Sequence, residues 1–202
     1  SDCEASSSGC RTPAENIFDQ VGPGGWKGYA QSMPTACGLS DRGPYLARHN
    51  PAVYYTDLGL TCLGDDVSIG TPASGPLQTD IVNGTLPTFA TLTPDVDNDQ
   101  HDGTLQQADS YLGSWINEIV AGPDYQSGRL AVAIVYDEGA GSGTNSPSTI
   151  PAIFMSQFVP PGRTSGLAFT HYSLLAAAED IAGVPRLGQA ASADNLRAAF
   201  GF

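Results

Sequence analysis

The stretch Leu130-Ala-Val-Ala-Ile-Val-Tyr-Asp-Glu-Gly139 decides the fold class: six apolar residues and a tyrosine run straight into two adjacent carboxylates. A short apolar run rich in Val and Ile reads as a strand covered on both faces, which requires helices packed over a sheet. Asp137 and Glu138 then stand at the strand's exit, where open α/β sheets collect their ligands. Neighbouring anions repel unless solvent, a proton or a cation relieves them, and a divalent metal relieves them most completely. The plainer reading is a strand that has met a polar loop, since Asp is a common turn residue.

Working outward, Leu86 to Thr93 reads as a second strand stopped by Pro94, and Asp95 to Asp102 as a polar loop. Leu105, Ala108, Tyr111, Leu112, Trp115, Ile116, Ile119 and Val120 then recur at three- and four-residue steps, the pattern of an amphipathic helix. Asp102 or Thr104 caps its start and Gly122-Pro123 ends it. After Asp137-Glu138 comes a Gly/Ser loop through Ser148, then a third strand at Ile150 to Ser156. Thr170 caps a helix predicted to bury Leu174, Leu175, Ala178, Ile181 and Ala182. Ser192 caps a last one facing Leu196, Ala199 and Phe200 inward. Upstream, Pro13 to Gln20 reads as a helix with Glu15-Asn16 at its start, Trp26 to Met33 as a second short helix, and Leu77 to Asn83 as a third. Pro34 to Gly75 reads as irregular, and a loop of that length in a compact domain is usually functional. Strands alternating with helices from Leu86 onward predict an α/β fold with a helix-flanked, mostly parallel sheet. Three strands are fewer than a mean sheet holds, so the sheet reads as incomplete.

At 202 residues the chain is predicted to be a single domain, residues 1–202. The net charge is −13, yet only 14% of residues are charged, so the acidity comes from scarce Lys and Arg. Without clustered basic residues, nucleic acid is an unsuitable partner. No run approaches the ~20 apolar residues of a membrane span. The spacing of the four cysteines suggests Cys3–Cys10 and Cys37–Cys62 disulfides, the second contributing about 3 kcal/mol on loop-entropy grounds. Zinc is the rival use, but no C-x-x-C spacing occurs. Disulfides imply a secreted, extracellular protein.

The three histidines, His49, His101 and His171, all fall outside the regular apolar stripes. A lone histidine there is most simply a surface or capping residue. Together they suggest more: His101 and the Asp137-Glu138 pair would leave strands at the same edge of a parallel sheet. A histidine beside a carboxylate-bound metal can bond a transferred phosphoryl group or protonate a leaving oxygen. Arg48 offers a guanidinium fork for phosphate oxygens. No G-x-S-x-G elbow, Walker loop or H-E-x-x-H is present.

Five segments carry a resemblance: Asn16-Ile-Phe-Asp-Gln, Arg48-His-Asn-Pro-Ala-Val-Tyr-Tyr, Thr93-Pro through Asn98-Asp-Gln-His-Asp, Val135-Tyr-Asp-Glu-Gly and His171-Tyr-Ser-Leu-Leu. In this order they resemble the secreted phosphoesterase family of bacterial acid phosphatases and phosphatidylcholine-type phospholipases C, with an alkaline-phosphatase-like core. The resemblance implies metal-dependent hydrolysis of a phosphate-ester small molecule or a phospholipid. It makes Asp137 and Glu138 metal ligands, His49 and His101 the phosphate-contacting or leaving-group histidines, and Arg48, Asn98 and His171 substrate-binding. The divalent ion is left open among calcium, magnesium, manganese, iron and zinc. Family members carry upstream a strand ending in Glu-Glu-Asn and a Ser or Thr nucleophile, neither of which is in these residues. The chain is therefore expected to be the C-terminal part of such an enzyme, to lack the N-terminal strands and to be inactive alone, with its own N-terminal segment as a partner. The competing reading is a non-catalytic secreted binding domain with a structural calcium at Asp137 and Glu138.

Overall fold

The computed structural model describes residues 3–139 and 149–202, so most of the predicted Gly/Ser loop lies outside the described residues. The chain forms two compact units, Ser1–Pro123 and Asp124–Phe202.

In the first unit, strands β1 (Trp26–Ala30), β2 (Asp66–Ser68) and β3 (Phe89–Thr93) form a parallel sheet in the order β2-β1-β3. Helices α1 (Ile17–Val21), α2 (Gly59–Asp65), α3 (Pro76–Asn83) and α4 (Leu105–Ala121) accompany it, which makes the fold the α/β type expected. β1 corrects the helix predicted over Trp26 to Met33. Its residues obey a period of two: Trp26 enters the apolar core, whereas Lys27 and Tyr29 both reach the carboxylate of Asp80, Tyr29 Oη donating at 2.6 Å. That alternation is a strand's, and it turns Lys27 and Tyr29 to the face opposite Trp26.

Trp26 is fully buried and packs on Phe18 with ring centroids 4.7 Å apart, and Phe18 meets Phe89 and Tyr55 edge-on. Burying Phe18 contributes about 2 to 3 kcal/mol. α1 starts later than predicted because Asn16 caps it, its side chain accepting from the Asp19 N–H. The segment predicted as irregular holds more order than expected: 3-10 turns at Ala47–His49 and Pro51–Tyr54, α2, and β2. The Cys37–Cys62 bridge ties α2 to the loop before it, and Cys3–Cys10 closes the N-terminal loop, as the spacing predicts. α4 is capped by Thr104, whose hydroxyl accepts from Gln107 N–H while Gln107 Oε1 accepts from Thr104 N–H. Ala108, Trp115 and Ile119 form its buried stripe, and Leu105 is exposed.

The second unit holds α5 (Pro123–Gln126), β4 (Val132–Val135), β5 (Ala152–Met155), α6 (His171–Ala182) and α7 (Leu196–Phe200). β4 pairs antiparallel with β5 in a two-stranded sheet of its own. This corrects the expectation that β4 belongs to the parallel sheet and is buried on both faces: Ala133 is exposed and its neighbours in β4 are half-buried. α6 buries Ser173, Ala176, Ala177 and Glu179, whereas the predicted Leu174, Leu175, Ala178 and Ala182 are half-buried and Ile181 is exposed. Within that face the Glu179 carboxylate accepts the Leu187 N–H at 2.9 Å. The last helix is capped by Asn195, not Ser192, which ends a separate 3-10 turn. Among the described residues no helix is long and apolar enough to cross a membrane.

Candidate functional site

The C-terminal ends of β1 and β3 are sewn together by side chains. Gln31 N–H donates to the Thr93 carbonyl, and Gln31 Oε1 accepts from the Asp95 N–H at 3.1 Å and from Asn98 Nδ2 at 3.4 Å. Ser32 Oγ donates to Asp95 Oδ2 at 2.6 Å, and Asn98 Nδ2 donates to Asp95 Oδ1 at 3.1 Å. Asp95 is buried, and these bonds satisfy both its oxygens. Ser32 has φ 58° and Gln100 φ 75°, left-handed values that non-glycine residues adopt at a cost. Ser32 lies two residues past the end of β1, and Gln100 lies in the loop that follows β3.

On this edge the structure brings His49 and His101 together, with ring centroids 5.5 Å apart and planes inclined by 52°. His49 comes from the 3-10 turn Ala47–His49, and His101 from the loop after β3. His49 Nδ1 lies 2.9 Å from Asp99 Oδ2, and His101 Nδ1 lies 2.8 Å from Asp102 Oδ1. Asp99 Oδ1 also accepts the His101 N–H at 2.7 Å. Asn98 sits in the same loop and helps line a groove of about 500 Å³ with Thr104, Gln106, Gln107, Ser110 and Tyr111, all uncharged hydrogen-bonding side chains. Arg48 precedes His49, but Nη1 of its guanidinium is engaged by Asp41 at 3.2 Å. Asp41 also accepts the Ala47 N–H and so holds the turn that carries both residues.

The loop closes tightly. Val96 O accepts both the Asp102 and Gly103 N–H groups, and a Cβ on Gly103 would lie 1.9 Å from the Asp97 carbonyl oxygen. Gly103→Ala is expected to open the loop at a cost of about 2 kcal/mol. The check is an earlier denaturation midpoint with displaced His101 ring signals by NMR; an unaltered spectrum would contradict it.

In the second unit, Asp137 and Glu138 follow β4 after Tyr136 and are both exposed, with the Glu138 N–H donating to Asp137 Oδ1 at 2.9 Å. His171 opens α6, where Ser173 Oγ accepts the Thr170 N–H at 3.3 Å. Its Nε2 lies 3.0 Å from the Tyr136 carbonyl oxygen, tying the ring to the residue before Asp137. The predicted site residues thus fall into two groups, Arg48, His49, Asn98 and His101 in the first unit and Asp137, Glu138 and His171 in the second. The expectation that His101 and the acid pair share one parallel sheet edge is corrected, because β4 pairs with β5 alone among the described residues.

Two consecutive carboxylates suit a hard divalent cation, which takes oxygen ligands. They supply part of its shell only. Cys37, Cys62 and Asp66 also converge within 4.8 Å of one another, but both sulfurs are spent in a disulfide, and a disulfide sulfur is no thiolate ligand. Asp99, Asp95, Gln31 and Ser32 were not singled out in the sequence, and Asp102 only as a candidate helix cap. The signal that could have found Asp99 and Asp102 is the Asp-x-His-Asp spacing of 99 to 102, which puts a carboxylate on either side of an imidazole.

The profile of the phosphoesterase family matches residues 12–185. The chain is 29% identical over 170 residues to a phosphatidylinositol-3-phosphatase of Mycobacterium tuberculosis, covering 82% of this chain and 51% of that protein. It is 24% identical over 181 residues to a phosphate-repressible acid phosphatase of Penicillium chrysogenum, covering 81% and 40%. It is 27% identical over 151 residues to an acid phosphatase of Aspergillus fumigatus, covering 72% and 32%. The chain spans about half or less of the length of these relatives, and no solved structure matches it. From its motifs, its α/β fold and this match over most of its length, the chain belongs to the phosphoesterase family.

Proposed function

We propose that this chain serves metal-dependent hydrolysis of phosphate esters of the acid phosphatase or phospholipase C type, as part of one secreted phosphoesterase domain. What supports the reading most is the paired imidazoles at the C-terminal edge of the parallel sheet, each backed by a carboxylate, in a chain of the phosphoesterase family. The names of the relatives, phosphatidylinositol-3-phosphatase and acid phosphatase, point to phosphomonoesters as substrates.

In this reading a hydroxyl nucleophile, supplied by a segment outside these 202 residues, loses its proton to water and forms a bond to phosphorus as the bond to the leaving oxygen breaks; water then cleaves the new phosphoryl ester, releasing inorganic phosphate and restoring the hydroxyl. In their doubly protonated form His49 and His101 direct Nε2–H at the phosphoryl oxygens, and one of them hands that proton to the departing oxygen while its Nδ1–H stays on its carboxylate, returning to the neutral Nδ1–H form. Asn98 and the uncharged groove beside it receive the leaving group, and Arg48 adds positive charge next to His49. Asp137 and Glu138 would hold a divalent cation, and His171 orders the turn that presents them. When bound, such an ion stabilises negative charge developing on the phosphoryl group. Calcium, magnesium, manganese, iron and zinc all fit two oxygen ligands, so the donor set names no single ion. The two disulfides favour an oxidising, extracellular setting.

The test is hydrolysis of p-nitrophenyl phosphate by the protein that carries this chain. Activity is expected to vanish on chelation, to return with a divalent cation, and to fall at least about tenfold, ~1.4 kcal/mol of barrier, on Asp137→Ala. Calcium-dependent melting with no hydrolysis at any pH would establish the binding-domain reading instead.

A further inference from the structure

One carboxylate holds the His49 ring and the backbone of His101. Asp99 Oδ2 lies 2.9 Å from His49 Nδ1, and Asp99 Oδ1 accepts the backbone N–H of His101 at 2.7 Å. The pair His49 and Asp99 is largely shielded, with side chains 23% and 18% exposed. The left-handed conformation of Gln100, φ 75°, turns the chain between Asp99 and His101 where this second bond forms. An ionised carboxylate only accepts hydrogen bonds, so the atom it faces on a neutral imidazole must carry the proton. The His49 ring is therefore held as its Nδ1–H form, with Nε2 left as the nitrogen open to a ligand. Asp102 does the same for His101 through Nδ1.

We infer that Asp99 is a positioning residue of the proposed hydrolase: it sets the tautomer and aim of His49 while fixing His101 beside it, so that two imidazoles present Nε2 in one register. The inference rests on the phosphoesterase reading of this edge. Asp95, four residues earlier, shows the contrast. Its oxygens are spent on Ser32 and Asn98 and hold the strand ends together, touching neither ring. Carboxylates behind working imidazoles elsewhere play this orienting part, and their removal weakens function without touching the reacting atoms.

The chain has three histidines, and the third is an internal standard. His171 faces the Tyr136 carbonyl through Nε2, and a carbonyl also only accepts, so His171 must be the opposite, Nε2–H tautomer. The experiment is two-bond proton–nitrogen correlation on the 202-residue chain with labelled histidine, at a pH where the rings are neutral. The expected pattern is Nδ1–H for His49 and His101 and Nε2–H for His171. Asp99→Ala is expected to move His49 to Nε2–H while His101 stays Nδ1–H on Asp102. Asp99→Asn, whose amide oxygen still accepts, is expected to restore Nδ1–H at His49. An Nε2–H form of His49 in the unsubstituted chain overturns the inference even if no variant folds, as does a folded Asp99→Ala chain with His49 unmoved.

In the catalytically competent protein, Asp99→Ala is expected to lower kcat at least tenfold with KM within threefold. An unchanged kcat alongside an altered tautomer overturns the positioning role. Absence of hydrolysis by the unsubstituted, metal-supplied protein would defeat the phosphoesterase reading, whereas the tautomer pattern tests the Asp99 clamp separately.

Discussion

Gly28→Ala is expected to destabilise the first unit by about 3 kcal/mol, the upper part of the range for overfilling a packed interior. Gly28 is the middle residue of β1 and pairs with Asp66 on one side and Thr91 on the other. A Cβ there would sit 2.4 Å from Asp66 Oδ1 and 3.3 Å from its carboxyl carbon. Neither partner can step aside easily. β1 is held by strands on both edges, and Asp66, fully buried, is pinned by Asn50 Nδ2 at 2.8 Å. Asn50 is itself buried and held through Tyr45 Oη at 3.2 Å. The two tryptophans, Trp26 and Trp115, both belong to this unit, so fluorescence-detected urea denaturation follows its unfolding. A midpoint for Gly28→Ala within error of the unsubstituted chain would show that the sheet can yield. The same substitution in an Asp66→Ala background is expected to cost much less, because the atoms it strikes are gone.

Acidification is expected to stabilise the first unit through Asp66, against the usual behaviour of carboxylates. Burial pushes the Asp66 carboxyl up to about 6 from 3.8, partly opposed by hydrogen bonds from Asn50 and the Cys37 backbone N–H. Its Oδ1 is buried with no hydrogen-bond partner, so the ionised form is poorly compensated. A folded-state value above the unfolded one means the folded state holds its proton longer. The contribution is thus fully present below pH 3.8, falls as pH rises through the window from 3.8 to 6, and is lost above it. The span corresponds to about 3 kcal/mol at most. Asp66→Asn is expected to remove that part of the pH dependence and to raise stability near pH 7 by about 1 to 2 kcal/mol, the orphaned amide N–H offsetting the rest. Urea midpoints at pH 4.5 and pH 7.5 check it. A slope between them that survives the substitution would assign the effect to another group.

Several elements were legible because their signals are local. α4 follows from its apolar stripe and its Thr104 cap, α3 from a short run ending in Asn83-Gly84, and the disulfide pairing from spacing. β1 was illegible as a strand because Trp26-Lys-Gly-Tyr-Ala30 holds no Val or Ile, and its alternation becomes meaningful only once Asp80 stands opposite Lys27 and Tyr29. β2 is three residues long and begins with a buried aspartate, a residue depleted in strands. The run at Leu130 carried a strand signal that held for Val132–Val135, but composition does not encode the direction of a strand's neighbour.

The site divides the same way. His49, His101, Asn98 and Arg48 could be picked out one by one, because residue type and motif are properties of the chain. That His49 and His101 lie 5.5 Å apart, across more than fifty residues of sequence, is not such a property. Residues alone determined the α/β class, the Thr104 cap, the crosslinks and the phosphoesterase resemblance, since each depends on spacing along the backbone. The tertiary structure decided the order β2-β1-β3, the burial of Asp66 under Gly28, and the grip of Asp99 on two histidines. Those arise from parallel strands whose partners are remote in sequence, and a hydrogen bond between distant residues exists only where the fold has brought both ends within its reach.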